Sequence, residues 1–281
     1  MKSLILSILL LAGSLCAQER FNGVDAPETT PSAVAFGDIS GQSGVQKFGN
    51  APDFDTGDGR VTIWDGADDG DIDNMQYIYC TTACVDSVIS SSANDIGTVE
   101  VQGLGAGTNM VVQSVTLTGT NRVALTTPLL RVFRVKNTSA TNWVGDVSCY
   151  VTNAPTLGGI PTDTSLIRAH VVAENNQTEM GVFTVPYGEK VLIKRVYFWS
   201  SGAKKSAVYE CSFWARSPGG IFRLQWKGAF DDDLESGVTQ PYELGLVYSA
   251  GTDLEARVKI LTAAVTEATI SAGFEIERKK Y

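Results

Sequence analysis

A short acidic segment contains the residues best suited to bind a metal ion. Asp53, Asp55 and Asp58 lie in a stretch rich in glycine, and more aspartates follow up to Asp73. Carboxylate oxygens on a loop are the ligands that Ca²⁺ prefers, so this spacing predicts a structural calcium site. The helix–loop–helix calcium motif is incomplete, because Trp64 stands where that motif has its last glutamate. The alternative is a solvated turn whose aspartates accept hydrogen bonds from their own backbone.

Two cysteines stand close enough in sequence to form a local disulfide. Three residues separate Cys80 from Cys84, and an exported chain permits disulfides. We expect a disulfide here, which would stabilise the fold by about 2 kcal/mol or less because the closed loop is short. Cys149 and Cys211 lie in apolar strand-like runs and are expected to be buried as small apolar side chains. Zinc is not expected, since neither a histidine nor a second close cysteine pair completes a ligand set.

Aromatic residues concentrate in the last third of the chain. Trp199, Trp214 and Trp226 belong to three successive strand-like runs. Alternation along a strand places Tyr197 and Trp199 on one face and Phe198 on the other. An exposed aromatic face suits stacking on a glycan or contact with another subunit. We therefore predict surface binding through the three tryptophans; the alternative is that the core and neighbouring chains cover them.

The sequence offers little for catalysis. His170 is the only histidine, and no Gly-x-Ser-x-Gly motif accompanies it, so a Ser-His-acid triad is not expected. Residues 103–107 (GLGAG) look like a phosphate-binding loop, but a strand-like run follows them instead of a helix. No pair of acids has a spacing that points to glycoside cleavage. We predict a protein that is not an enzyme and has no cofactor apart from the calcium considered above.

The charge and the N-terminus indicate where the protein acts. The chain has 281 residues and a formal net charge of −9, which argues against nucleic acid as a partner because phosphate binding needs clustered lysine and arginine. Residues 1–17 combine Lys2, an apolar run and small residues up to Ala17, which is the layout of a secretory signal peptide. No later apolar run is long enough to span a membrane. Residues 18–46 are polar, with two prolines, and are expected to form an extended arm.

The remaining residues predict an all-β protein. Short runs of alternating or continuous apolar residues are separated by turn residues from residue 47 onward. Residues 153–163 (NAPTLGGIPTD) form the strongest linker, because two prolines and two glycines interrupt any periodicity. We expect an N-terminal β-sandwich domain at residues 47–153 and a C-terminal domain at residues 164–281. The second domain has eight strand-like runs, the number in a jelly roll.

Several segments resemble one known family. Residues 45–66 (VQKFGNAPDFDTGDGRVTIWDG) are similar to the opening of virion structural proteins of tailed bacteriophages, especially marine ones, and residues 87–119 resemble the segment that follows. Residues 180–196 (MGVFTVPYGEKVLIKRV) and 219–224 (GGIFRL) resemble later motifs. The resemblance covers most of residues 45–278 and implies a particle protein without catalytic residues. The signal-like N-terminus departs from the family, whose members assemble in the host cytoplasm.

The sequence thus predicts a structural protein that decorates the capsid or forms an appendage of a bacteriophage particle. Its expected partners are other copies of itself, in a symmetric homo-oligomer, and other virion proteins. Its expected location is the virion or the extracellular space. The alternative is a secreted adhesin or carbohydrate-binding β-sandwich protein, whose tryptophans would bind a host-surface glycan.

Overall fold

A computed structural model describes residues 20–21, 24–25, 31–67, 75–151, 155–200, 207–262, 265 and 267–281. The signal-like segment 1–17 and most of residues 18–30 lie outside this part of the chain. None of the helices in the described part has the length and apolar character needed to cross a membrane.

The described chain is almost entirely β-structure, which confirms the all-β fold class. The helical elements there are α1 (Pro31–Phe36) and two 3₁₀ turns (Thr56–Asp58 and Thr164–Leu166). The strands are β1 (Arg20–Phe21), β2 (Val24–Asp25), β3 (Gln42–Phe54), β4 (Arg60–Thr62), β5 (Val85–Ser90), β6 (Thr98–Leu104), β7 (Met110–Thr116), β8 (Val123–Leu129), β9 (Arg131–Asn137), β10 (Val147–Val151), β11 (Thr156–Leu157), β12 (Ile160–Pro161), β13 (Ile167–Val171), β14 (Val182–Thr184), β15 (Glu189–Ser200), β16 (Val208–Arg216), β17 (Arg223–Asp231), β18 (Gly237–Ser249), β19 (Asp253–Ile260) and β20 (Ala268–Lys280).

Eight strands form a jelly roll. Sheet I has the order β18-β15-β20-β3, and sheet II has the order β14-β19-β16-β17, with β4 added against β19. Neighbouring strands are antiparallel, and the chain crosses repeatedly between the two sheets from β14 to β20. This connectivity is that of a double-sheet jelly roll. The jelly-roll architecture expected for the C-terminal part is therefore present.

Strand alternation builds the core between the two sheets. In β19, Leu254 and Ala256 point into the sandwich, whereas Asp253 and Glu255 lie on the opposite face of sheet II; all four are buried. Phe213 of sheet II meets Phe274 of sheet I with ring centroids 5.2 Å apart. Aromatic contacts of this kind contribute roughly 0.5–1.5 kcal/mol beyond the area they bury.

A second β-sandwich interrupts the jelly roll. The inserted domain (residues 85–171) has one sheet of order β13-β10-β5-β8 and another of order β7-β6-β9. It lies between β4 and β14 in the sequence, so the jelly roll begins before it and resumes after it. The hairpin β11-β12 belongs to the same stretch of chain.

The observed pairing differs from the boundaries predicted at residues 47–153 and 164–281. The β3 strand starts at Gln42, inside the predicted arm 18–46, and pairs with β20 at the other end of the chain. The β13 strand pairs with β10 and so belongs to the inserted domain. The predicted linker 153–163 contains the β11-β12 hairpin, whose turn has Gly158 and Gly159 at positive φ. Its turn residues therefore serve a hairpin rather than a domain boundary.

Candidate functional site

Of the three predicted calcium ligands, Asp53 lies near the end of β3, and Asp55 and Asp58 lie in the turn between β3 and β4. Asp55 accepts a hydrogen bond through Oδ1 from the backbone N–H of Glu267 at 2.9 Å, and Asp58 accepts one through Oδ2 from the backbone N–H of Asp55 at 2.5 Å. Asp53 has a left-handed backbone, with φ of 48°. No group of three or more metal-ligand side chains converges within the described residues. The Asp58 bond is the local backbone contact of the solvated-turn alternative, whereas the Asp55 bond ties the turn to a residue 212 positions away. The calcium site stays a prediction.

The cysteines divide into a bonded pair and two buried thiols. A disulfide joins Cys80 and Cys84 just before β5. Cys149 and Cys211 are free and buried. Burial raises the pKa of both thiols well above the ordinary value, so they remain protonated and pack as apolar side chains.

The structure places the three predicted tryptophans in different environments. Trp226 faces the interior of the jelly roll and stacks on Phe198 at a centroid distance of 5.8 Å. Trp214 lies on the outer face of sheet II beneath two arginines. Trp199 is 37% exposed on the outer face of sheet I, where it stacks with Tyr197 at 5.3 Å. A single stacking platform formed by all three is therefore not possible.

His170 makes a packing contact inside the inserted domain. Its Nδ1 lies 3.1 Å from Oγ of Ser148, its register partner on β10. Both residues are buried, so this serine–histidine pair is closed to a substrate in this conformation. Residues 103–107 form the end of β6 and the start of the hairpin turn to β7, so no helix follows them.

The outer face of sheet II carries a stack of alternating arginines and aromatic rings. Each guanidinium lies over one or two rings, at centroid distances from 4.5 to 5.3 Å. In spatial order, this arginine–aromatic ladder consists of Arg131, Tyr79, Arg216, Phe222, Arg257, Trp214 and Arg60. A ring face attracts a cation, and the attraction strengthens as water is excluded. The ladder joins the inserted domain, through Arg131, to the jelly roll.

Asp253 is the acid at the buried end of the ladder. Its Oδ1 accepts hydrogen bonds from Nε of Arg131 at 3.0 Å and from Oγ1 of Thr184 at 2.5 Å. Its Oδ2 accepts from Nε of Arg216 at 2.9 Å. The carboxylate side chain is only 5% exposed. One acid therefore neutralises two arginines that come from different domains, with charge-assisted hydrogen bonds.

Glu255 pairs with the middle of the ladder. It accepts a hydrogen bond from Nε of Arg257 at 2.8 Å and another from the hydroxyl of Tyr79 at 3.1 Å. Burial, followed by the nearby Glu255 and Asp253 carboxylates, raises the pKa of Tyr79 well above its ordinary value. The Tyr79 hydroxyl therefore stays protonated and acts as a donor. The ladder is built to hold two domains in one orientation.

Strand β18 forms an exposed edge of sheet I with apolar side chains in solvent. We define the β18 edge surface as Leu244 and Val247 on the strand, which are 94% and 64% exposed, together with Leu234 on the turn before the strand, which is 82% exposed. The register of β18 against β15 shifts between Ile193 and Arg195, where β18 bulges outward. Gly245 at the bulge has a positive φ of 69°. Bulges are common at sheet edges, where they redirect side chains, and this one leaves Leu244 fully accessible.

Sequence reasoning missed both the ladder and the β18 edge surface. The segment DLEARVK (residues 253–259) alternates charged and apolar residues, which could have indicated a charged outer face on a strand with a buried inner face. The bulge in β18 has no comparable signal, because it depends on the register with β15.

Comparisons with known proteins give distant structural neighbours. No protein-family model matches the chain, and no curated protein matches it significantly. The chain aligns with a structure of infectious bursal disease virus, Gx strain, at 11% identity and a TM-score of 0.24, covering 85% of this chain and 72% of that chain. The structure of the Gt strain aligns at 12% identity and a TM-score of 0.19, covering 86% of this chain and 73% of that chain. The crystal structure of the VP2 subviral particle of the same virus aligns at 8% identity and a TM-score of 0.17, over 86% of this chain and 77% of that chain. These neighbours come from virus particles, but similarity at this level carries no argument about fold or function.

Proposed function

We propose that this chain is a structural protein of a virus particle and acts by self-assembly. The finer proposal is a tailed-bacteriophage protein that decorates the capsid or forms an appendage. Two observations support it independently of the distant neighbours. The jelly roll is an architecture shared by capsid and lectin domains, and residues 45–278 resemble phage virion proteins in their strand and turn motifs.

The β18 edge surface is the observation that carries the proposal. A long edge strand presents unpaired backbone groups, and exposed apolar side chains beside them would promote aggregation unless a partner covers them. Leu244 and Val247 are such side chains on a strand of 13 residues. A second copy of the chain is the partner that best fits an assembling protein, because a repeated interface builds closed symmetric assemblies.

The arginine–aromatic ladder supplies the rigidity that assembly requires. Arg131 of the inserted domain and Arg216 of the jelly roll share one buried carboxylate. A repeated interface closes into a symmetric assembly more readily when the subunits share one shape. Fixed domains therefore favour a structural role for the chain.

Sedimentation velocity and electron microscopy of the purified full chain test this proposal. We expect the wild-type protein to form discrete oligomers or particles as its concentration rises. Leu244→Asp should abolish them, since it places a charge in the proposed contact. The matched control is Leu157→Asp, because Leu157 is also an exposed leucine (78%) but lies in the β11-β12 hairpin. A wild-type chain that stays monomeric, or a Leu244→Asp variant that assembles normally, would contradict the proposal.

Glycan binding is the second candidate, and only one tryptophan favours it. Trp199 stacks with Tyr197 on an exposed face of sheet I, which is the geometry of a sugar-stacking surface. A glycan array should then give signals that disappear with Trp199→Ala and persist with Trp226→Ala, because Trp226 faces the interior. An array without any signal would leave this candidate unsupported.

A further inference from the structure

A cavity of about 340 Å³ opens between β3 of the jelly roll and the inserted domain. It falls within the size range of small-molecule sites. Its wall combines polar and apolar groups. The side chains that matter for recognition are Lys47, Arg134, Arg278, Gln177, Phe133 and Phe183. Among the residues that the structure describes, the lining has three basic side chains and no acidic one.

Lys47 is the buried basic group of the cavity. It is 9% exposed, and its Nζ donates a hydrogen bond to the backbone carbonyl of Phe133 at 2.6 Å. Burial, and then the positive charge of Arg134, lowers the pKa of Lys47 to about 7. Loss of water around an ammonium group disfavours its charged form. An anion placed beside Nζ would restore that charge.

The other charged groups around the cavity differ in whether an acid already neutralises them. Arg278 is neutralised, because it donates two hydrogen bonds of 2.7 Å to the carboxylate of Glu189. Arg134 instead donates to the neutral amide oxygen of Gln177 at 2.6 Å. Glu100, on the neighbouring strand β6, is engaged by Lys136 at 2.9 Å. Lys47 and Arg134 therefore face the cavity as the basic groups that an incoming anion would contact.

The apolar side of the cavity determines which anion fits. Phe133 and Phe183 lie with their ring centroids 4.8 Å apart, and both line the cavity. Phosphate has no apolar part to contact these rings. We propose that the cavity binds a small organic carboxylate, whose charged group lies against Lys47 and Arg134 and whose apolar part lies against Phe133 and Phe183. This site does not depend on the proposed role in assembly.

Isothermal titration of the full chain with benzoate tests the site. We expect binding at pH 6, where Lys47 is protonated, and an affinity that falls by up to about tenfold per pH unit above pH 7. Titrations in buffers of different ionisation enthalpy should show proton uptake near pH 8. Benzyl alcohol, which lacks the charge, should not bind, and inorganic phosphate should bind more weakly than benzoate.

Three variants separate this site from general charge attraction. Lys47→Met keeps the apolar stem. It should abolish the proton uptake and weaken benzoate binding by at least about tenfold. Arg134→Gln changes an exposed side chain, so we expect the fold to tolerate it, and it should weaken binding severalfold. Lys280→Met removes an exposed charge at the end of β20 and should change nothing. The proposal is overturned if benzoate fails to bind at pH 6, if phosphate or benzyl alcohol binds as tightly, or if both cavity variants bind like wild type.

Discussion

Replacing Asp253 by asparagine should be among the most destabilising single-atom changes in this chain. The substitution keeps the size of the side chain and removes its charge. It leaves the guanidinium groups of Arg131 and Arg216 without their shared counter-ion, and it turns an amide donor toward at least one of them. Two like charges would then face each other near the domain interface.

The magnitude follows from the burial of the three side chains. Asp253 is 5% exposed and Arg131 is 10% exposed, whereas Arg216 is 26% exposed. Breaking a buried pair by removing one partner costs about 3–5 kcal/mol. Water reaches Arg216 and screens its share, so we expect a loss of about 3–5 kcal/mol in total rather than twice that amount. Such a loss is a large part of the stability of a typical domain.

Urea unfolding followed by tryptophan fluorescence measures this loss. Asp38→Asn is the control, because Asp38 is exposed and its change should stay within about 0.5 kcal/mol. The double variant Arg131→Met/Asp253→Asn should recover part of the loss, since it removes the unpaired charge together with its partner. If Asp253→Asn costs less than about 1 kcal/mol, or if the double variant is simply additive, the ladder does not depend on this carboxylate.

Two further predictions concern β3. Lys47 has a pKa of about 7 in the folded chain against an ordinary value of 10.5, so the unfolded chain binds more protons between these two values. Relative to Lys47→Met, wild-type stability should therefore rise from about pH 7 toward pH 10.5, by up to about 1.4 kcal/mol per pH unit. The prediction is refuted if denaturation curves give the same pH dependence of the unfolding free energy for wild type and Lys47→Met. Gly49→Ala should cost roughly 3 kcal/mol in thermal unfolding, because the new Cβ would lie 2.3 Å from the backbone nitrogen of Gly181. A Cβ added at Gly57 would meet open space, so Gly57→Ala should lose no stability. Equal melting temperatures for the two variants would contradict this reasoning.

The strands could be predicted from the sequence because their signal is local. Alternation in β6 and β19 and the turn residues between β6 and β7 are visible without a partner strand. The insertion could not be predicted in this way. The register of β3 against β20 joins residues more than 200 positions apart, and no local pattern in either strand specifies that partner.

The functional residues, too, could be predicted from the sequence only where their partners lie close along the chain. The disulfide between Cys80 and Cys84 closes a short loop, so spacing alone indicates it. The Asp253 cluster draws on Arg131, which lies 122 positions away, and the Lys47 cavity depends on a contact with Phe133 across 86 positions. For Trp199, Trp214 and Trp226, closeness in the sequence suggested a shared surface that the fold does not form. Trp199 lies on the outer face of sheet I, Trp214 lies on the outer face of sheet II, and Trp226 faces the interior.

Hydrogen bonds at the insertion point tie together the two chain segments that connect the domains. The segments that enter and leave the inserted domain run side by side: Gly181 donates its backbone N–H to the carbonyl of Ile63 at 2.7 Å, and Asp65 donates to the carbonyl of Glu179 at 3.0 Å. Two paired chain connections resist twisting more strongly than one flexible linker does. The arginine–aromatic ladder adds a contact on a separate face, through Arg131. Constraints at separate places restrict both the angle and the distance between the domains, and under the proposed self-assembly a fixed angle would let identical subunits repeat the same contact.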